Sequence, residues 1–151
     1  MKLAELLKEG LIVTGFAARD KNEALGKLLE VVGDRIPADR RAAVLEALLA
    51  RERVASTGLE NGIAMPHARV EMPGDVVAAL GVSPEGVPFQ SADGRPARLI
   101  ALLVIPTLRM QQGVKLLADT ARLLSYEEVR DGLVRARTAR EALDVLRSHE
   151  S

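Results

Sequence analysis

The chain holds two histidines and no cysteine, so thiol chemistry is excluded and imidazole chemistry rests on two positions. His67 falls in the stretch Arg51-Glu52-Arg53-Val54-Ala55-Ser56-Thr57-Gly58-Leu59-Glu60-Asn61-Gly62-Ile63-Ala64-Met65-Pro66-His67-Ala68. Asn61-Gly62 is a tight-turn pair, because both residue types tolerate positive φ. Ile63 to Met65 is a short extended run, and Pro66 keeps Met65 extended. Proline cannot donate to a sheet ladder, which predicts that His67 sits where the strand ends. An imidazole there is fixed in place yet reachable from solvent. Neutral imidazole is a good nucleophile near neutral pH, and a backbone carbonyl on its second nitrogen would set the tautomer.

The helix predicted over about 39–53 must position the other half of such a site. Its apolar face of Val44, Leu45, Leu48 and Leu49 runs on toward Glu52, with Arg51 on the flank and Arg53 on the opposite side. Charge that leans into an apolar surface needs partners. Arg51 would meet an anion there, and Glu52 would accept hydrogen bonds from the following loop. Singly, each residue has a plainer meaning. A lone histidine is more often a surface or satisfied core residue, an Arg-Glu pair an ion pair or loop tether, and Thr57, Asn61 and Gly62 a turn.

Other elements follow from periodicity and punctuation. Leu11 to Thr14 reads as a strand closed by Gly15. Asp20 with Glu23 has the spacing of a helix cap, opening a helix with Leu25, Leu28, Leu29 and Val32 on one stripe that ends at Gly33. Val76 to Val82 and Leu99 to Ile105 read as buried strands, with turns and a short edge strand at Val87 to Gln90 between them. Leu108 to Leu124 reads as a helix with Met110, Val114, Leu117, Ala121 and Leu124 inward. Ser125 with Glu128, and Thr138 with Glu141, mark two further helix starts. This order implies an α/β fold, with a mixed sheet covered by helices on both faces.

At 151 residues the chain fits one domain, 1–151, able to bury roughly 70% of its unfolded surface. With two Phe, one Tyr and no Trp, the core must be aliphatic. Net charge is zero, from 21 basic and 21 acidic side chains, and no basic block points to nucleic acid. Arginine dominates the basic residues, which fits a GC-rich coding sequence. No segment approaches the ~20 apolar residues needed to span a bilayer, and the N-terminus does not resemble a signal peptide. A cytoplasmic location, with no membrane insertion, is expected.

The ordered run R-E-x-x-x-S-T-G-x-x-x-G-I-A-x-P-H-A resembles the signature of the enzyme IIA domain of the fructose/mannitol class (type 2) of the phosphoenolpyruvate-dependent phosphotransferase system, nitrogen-regulatory relatives included. The resemblance extends over the whole chain. It implies a three-layer α/β/α sandwich with a small mixed sheet. It also implies that His67 takes a phosphoryl group from a histidine phosphocarrier protein and passes it to an enzyme IIB component, and so to a sugar. Arg51 would then lie near the phosphohistidine, where a guanidinium offers a permanent fork of donors. Thr57 would bond the phosphoryl group or shape the loop, and Glu52 would support the site. Positioning and charge stabilisation suffice for such a transfer, so no metal or organic cofactor is implied.

One position departs from the pattern. The family's second histidine, at the start of the long helix, is matched by Gly113, where a side chain would face the site. Arg109 or Gln112 at the same helix start would substitute as a donor. His149 reads as an exposed, frayed tail residue. Three roles stay open: a phosphoryl carrier for fructose-type sugar uptake, a regulatory relative whose phosphorylation controls a kinase, transporter or transcription factor, and a binding domain that has lost the chemistry.

Overall fold

A computed structural model describes residues 2–150. The chain opens with a helix absent from the sequence reading, α1 (Leu3–Leu7), which buries Leu3, Ala4 and Leu7. The Glu150 carboxylate accepts the backbone N–H groups of Leu3 and Ala4, both at 3.1 Å. This cap ties the two ends of the described chain together.

Strand β1 (Ile12–Val13) is shorter than expected, and leads to α2 (Lys21–Val31). Asp20 caps α2 by accepting the Glu23 N–H at 2.9 Å. The helix stops two residues before Gly33, which begins a 3-10 turn rather than a left-handed cap. Helix α3 (Arg41–Val54) buries Val44, Leu48 and Glu52 at four-residue spacing, one stripe facing the sheet.

Then come β2 (Ile63–Ala64), β3 (His67–Val70), β4 (Val77–Val87) and β5 (Ala97–Pro106). The sheet order is β1-β4-β5-β2, and β3 also pairs with β5. Only β4 and β5 are antiparallel; β1 lies parallel to β4, and β2 and β3 lie parallel to β5. The edge strand expected at Val87 to Gln90 is not formed. Val87 ends β4 after a register irregularity, and Gln90 has φ 52°. The buried stretches of β4 and β5, residues 77–82 and 99–105, are continuous apolar runs and hold the centre of the core.

Three helices follow: α4 (Met110–Leu124), α5 (Glu127–Arg135) and α6 (Ala139–His149). Thr138 caps α6 by accepting the Glu141 N–H at 3.1 Å. Ser125 does not cap α5: its hydroxyl donates to Arg122 O, and the cap position is Tyr126. Helices α2 and α3 pack together, as do α1, α4, α5 and α6, giving a mixed sheet between helical layers. Among the described residues, no helix is long and apolar enough to cross a membrane.

Candidate functional site

β2 and β3 are one strand with an interruption. Their registers against β5 agree on both sides of Met65-Pro66. Proline has no N–H to give the ladder, yet its carbonyl still accepts from Leu103 N at 3.0 Å. The strand therefore resumes at His67 instead of ending there, which corrects the sequence expectation. His67 is half-buried on this edge strand, and its Nδ1 lies 2.8 Å from Met65 O. A carbonyl oxygen only accepts, so Nδ1 carries the proton and Nε2 keeps its lone pair. Nε2 has no partner among the described residues.

The loop before the strand is built around a buried carboxylate. Glu52 is 4% exposed and accepts the Thr57 N–H at 3.1 and 3.3 Å, together with the Thr57 hydroxyl. Lys21, at the start of α2, places Nζ 3.3 Å from Glu52 Oε2. Thr57 O accepts Met65 N–H at 3.1 Å, and Leu59 N–H reaches Ile63 O at 2.7 Å. Asn61 and Gly62 turn the chain with φ of 64° and 74°. Asp93 accepts the N–H groups of Arg95 and Asn61, which hold its carboxyl below the ordinary carboxylate range.

His67 lines a cleft of about 390 Å³ between α3 and α4. One wall carries Arg51 and Ala47 from α3, the other Met110, Val114 and Leu117 from α4, and Ile105 and Arg69 also reach it. Arg51 shares the cleft with His67, and its Nη1 also donates to Ala55 O at 2.8 Å. Met110, Val114 and Leu117, read from sequence as core, are the apolar wall of this cleft, and Val114 is 55% exposed. The buried residues of α4 are Gly113, Leu116, Thr120, Leu123 and Leu124, so of the expected inward set only Leu124 is fully buried. Glycine and threonine on the inner face disguised the stripe.

Gly113 packs directly on β5. A Cβ at this position would come within 2.8 Å of Ile105 Cδ1 and 2.9 Å of Ile105 Cγ1. A side chain there would thus strike Ile105 before it reached the cleft, contrary to the expectation that it would face the site. Arg109 is likewise outside the cleft. Its Nε pairs with Asp75 at 3.1 Å, and it lines a separate depression together with Gln112. His149 closes α6 and is engaged rather than frayed, with Nε2 3.4 Å from Glu128 and Nδ1 3.1 Å from Val145 O.

The structure thus brings together His67, Arg51, Glu52 and Thr57, the last two beneath the site and not in the cleft. Sequence reasoning missed Arg69 and Lys21. Arg69 was within reach, since a residue two positions beyond His67 on a strand shares its face. Lys21 lies 31 residues from Glu52 and gave no local signal.

Fold and site together define a mixed-sheet α/β domain that presents one tautomer-fixed imidazole at a sheet edge, beside guanidinium groups. Residues 5–149 match the family of the phosphoenolpyruvate-dependent sugar phosphotransferase system, EIIA 2, and the chain belongs to that family. A fructose-specific EIIA component of Haloferax volcanii is 34% identical over 126 residues, 83% of this chain and 82% of that protein. A nitrogen regulatory protein of Pseudomonas aeruginosa is 32% identical over 143 residues, covering 95% and 92%. The fructose-specific EIIABC component of Bacillus subtilis matches at 30% over 150 residues, and the chain spans only 24% of its length. In three dimensions, the nitrogen regulatory protein IIA-Ntr from Neisseria meningitidis superposes with a TM-score of 0.85 at 27% identity, over 95% of this chain and 98% of that one.

Proposed function

We propose that this domain is a phosphoryl carrier, accepting a phosphoryl group on His67 Nε2 from a histidine phosphocarrier protein and passing it to an enzyme IIB component for fructose-type sugar uptake. The observation that carries the reading is the bond from His67 Nδ1 to Met65 O. It holds the proton on one nitrogen and leaves the lone pair on the other. In the transfer, that pair forms the new P–N bond while the donor's P–N bond breaks, and the donor imidazole leaves with the bonding electrons. The Nδ1 proton stays against Met65 O, which also stabilises the positive charge that phosphorylation puts on the ring.

Arg51 and Arg69 supply cationic donors around the same cleft, suited to phosphoryl oxygens. The apolar rim of Met110, Val114 and Leu117, with Leu108 at 89% exposure on the approach to α4, suits the docking of a protein donor rather than a free small molecule. Gly113 is no sign of decay in this reading, because Ile105 occupies the space beside it. Arg51 bonds the phosphoryl group directly, while Glu52 and Thr57 shape the loop.

A regulatory role is the second reading, favoured by the relatives named nitrogen regulatory protein. There the same phosphohistidine would switch the affinity for a kinase, transporter or transcription factor. Incubation with phosphoenolpyruvate, enzyme I and the phosphocarrier protein should add one acid-labile phosphate, detected by intact mass and absent in His67→Ala. Addition of a fructose-type IIB component then separates the roles. Rapid loss of the label to IIB supports sugar uptake, and a label retained by this chain supports regulation. A wild-type protein that never takes up phosphate removes both.

A further inference from the structure

Lys21 lies outside the motif that carries the family resemblance, yet it is the charged partner of the buried carboxylate beneath the site. Its side chain is 19% exposed, with Nζ 3.3 Å from Glu52 Oε2 and 2.8 Å from Gln90 Oε1. Resting on the phosphocarrier reading, we propose that Lys21 is a positioning residue for transfer, acting through Glu52, Thr57 and Met65 on the tautomer and orientation of the His67 ring.

The connection is continuous. Glu52 holds Thr57 by its N–H and its hydroxyl. Thr57 O holds Met65 N–H at 3.1 Å, and Met65 O holds His67 Nδ1 at 2.8 Å. Each group fixes the next, and only the last touches the reacting nitrogen's ring. The Glu52 side chain is 2% exposed, and a buried charge that loses its counter-ion is strongly destabilised. The cheapest relief is for Glu52 to turn toward water, which drops both bonds to Thr57. Met65 O then shifts, and the ring gains access to the other tautomer, in which Nε2 carries the proton and has no lone pair for attack.

Lys21 also fixes the neighbouring loop. Gln90, its second partner, has a left-handed backbone, and the Ser56 hydroxyl donates to the adjacent Phe89 O. Ala92 N–H reaches Gly58 O at 3.2 Å. A Cβ on Gly58 would lie 2.9 Å from Ser91 Cα, so the two loops meet backbone to backbone. One ammonium thus anchors both the carboxylate and the loop on which the 55–62 segment rests.

The test compares wild type, Lys21→Ala and Lys21→Arg. The 15N shifts of the His67 ring report the tautomer, and single-turnover kinetics report acceptance from the phosphocarrier. Lys21→Ala is expected to show a mixed-tautomer ring and transfer slowed about tenfold or more, at an unchanged half-saturating donor concentration. Lys21→Arg restores both. If Lys21→Ala does not fold, Lys21→Gln keeps the stem and a neutral donor, and is read in the same two ways. A wild-type ring spectrum in folded Lys21→Ala, or in the Lys21→Gln protein that replaces it, overturns the proposal, as does a disturbed ring with wild-type transfer. If the wild-type chain accepts no phosphate, the phosphocarrier reading is what fails, and the ring spectra still decide whether Lys21 sets the tautomer.

Discussion

The two walls of the His67 cleft are made rigid by opposite means. Behind the α3 wall, a buried carboxylate, an ammonium and a threonine hold loop 55–65 through directed bonds. Behind the α4 wall, Gly113 and Ile105 meet by shape alone. The polar wall governs the state of the imidazole. The packed wall governs how far α4 stands from the sheet, and therefore the width of the cleft. Directed bonds are suited to setting a tautomer, and close packing to setting a distance.

Removing the carboxylate should break the polar wall most severely. Glu52→Ala leaves the Thr57 N–H and hydroxyl without their acceptor and the Lys21 ammonium without its counter-ion, with only Gln90 Oε1 to bond among the described residues, and should cost about 3 kcal/mol of stability, read by urea denaturation. It should also slow phosphoryl acceptance sharply. On the packed wall, Gly113→Ala should cost about 2 kcal/mol through overpacking. Ile105→Ala, which removes Cγ1, Cγ2 and Cδ1 together, should cost less in the Gly113→Ala background than in the wild type, and strict additivity of the two changes would refute direct contact between these positions.

Thr120 sharpens the comparison from inside the packed wall. Its hydroxyl is buried with no hydrogen-bond partner among the described residues, so Thr120→Val should raise stability by about 1 kcal/mol in thermal unfolding. The smallest effect concerns the turn that leads into the site strand. Asp93, its carboxyl held low by the N–H groups of Arg95 and Asn61, contributes stability above its unfolded pKa. That contribution disappears as pH falls through the lowered folded value. Asp93→Asn should therefore flatten the acid limb of the stability profile, and an unchanged limb would show that the turn does not depend on this charge.

What the sequence disclosed differed between the same two walls. The Asp20 and Thr138 caps, the Asn61-Gly62 turn, the buried strands of β4 and β5 and the inward lean of Glu52 were legible, because each is a local pattern with a local cause. Helix α1 escaped notice because it is a short element that rests on a carboxylate at the far end of the described chain. Except at Leu124, the inner stripe of α4 lies about one residue from the face its apolar pattern predicts, since Gly113 and Thr120 interrupt the apolar count while the cleft-facing Met110, Val114 and Leu117 mimic a core face. Lys21 was invisible because its partner is set by how α2 crosses α3. For Arg109, the pairing with Asp75 on the segment before β4 was equally a matter of tertiary contact.

The sharpest test locates the phosphorus on the ring. With 15N-labelled protein phosphorylated through the phosphoenolpyruvate chain, the phosphorus–nitrogen coupling and ring shifts identify the bonded nitrogen. Phosphorus on His67 Nε2, with Nδ1 still protonated against Met65 O, is the expected result. Phosphorus on Nδ1, or on any residue other than His67, would contradict it.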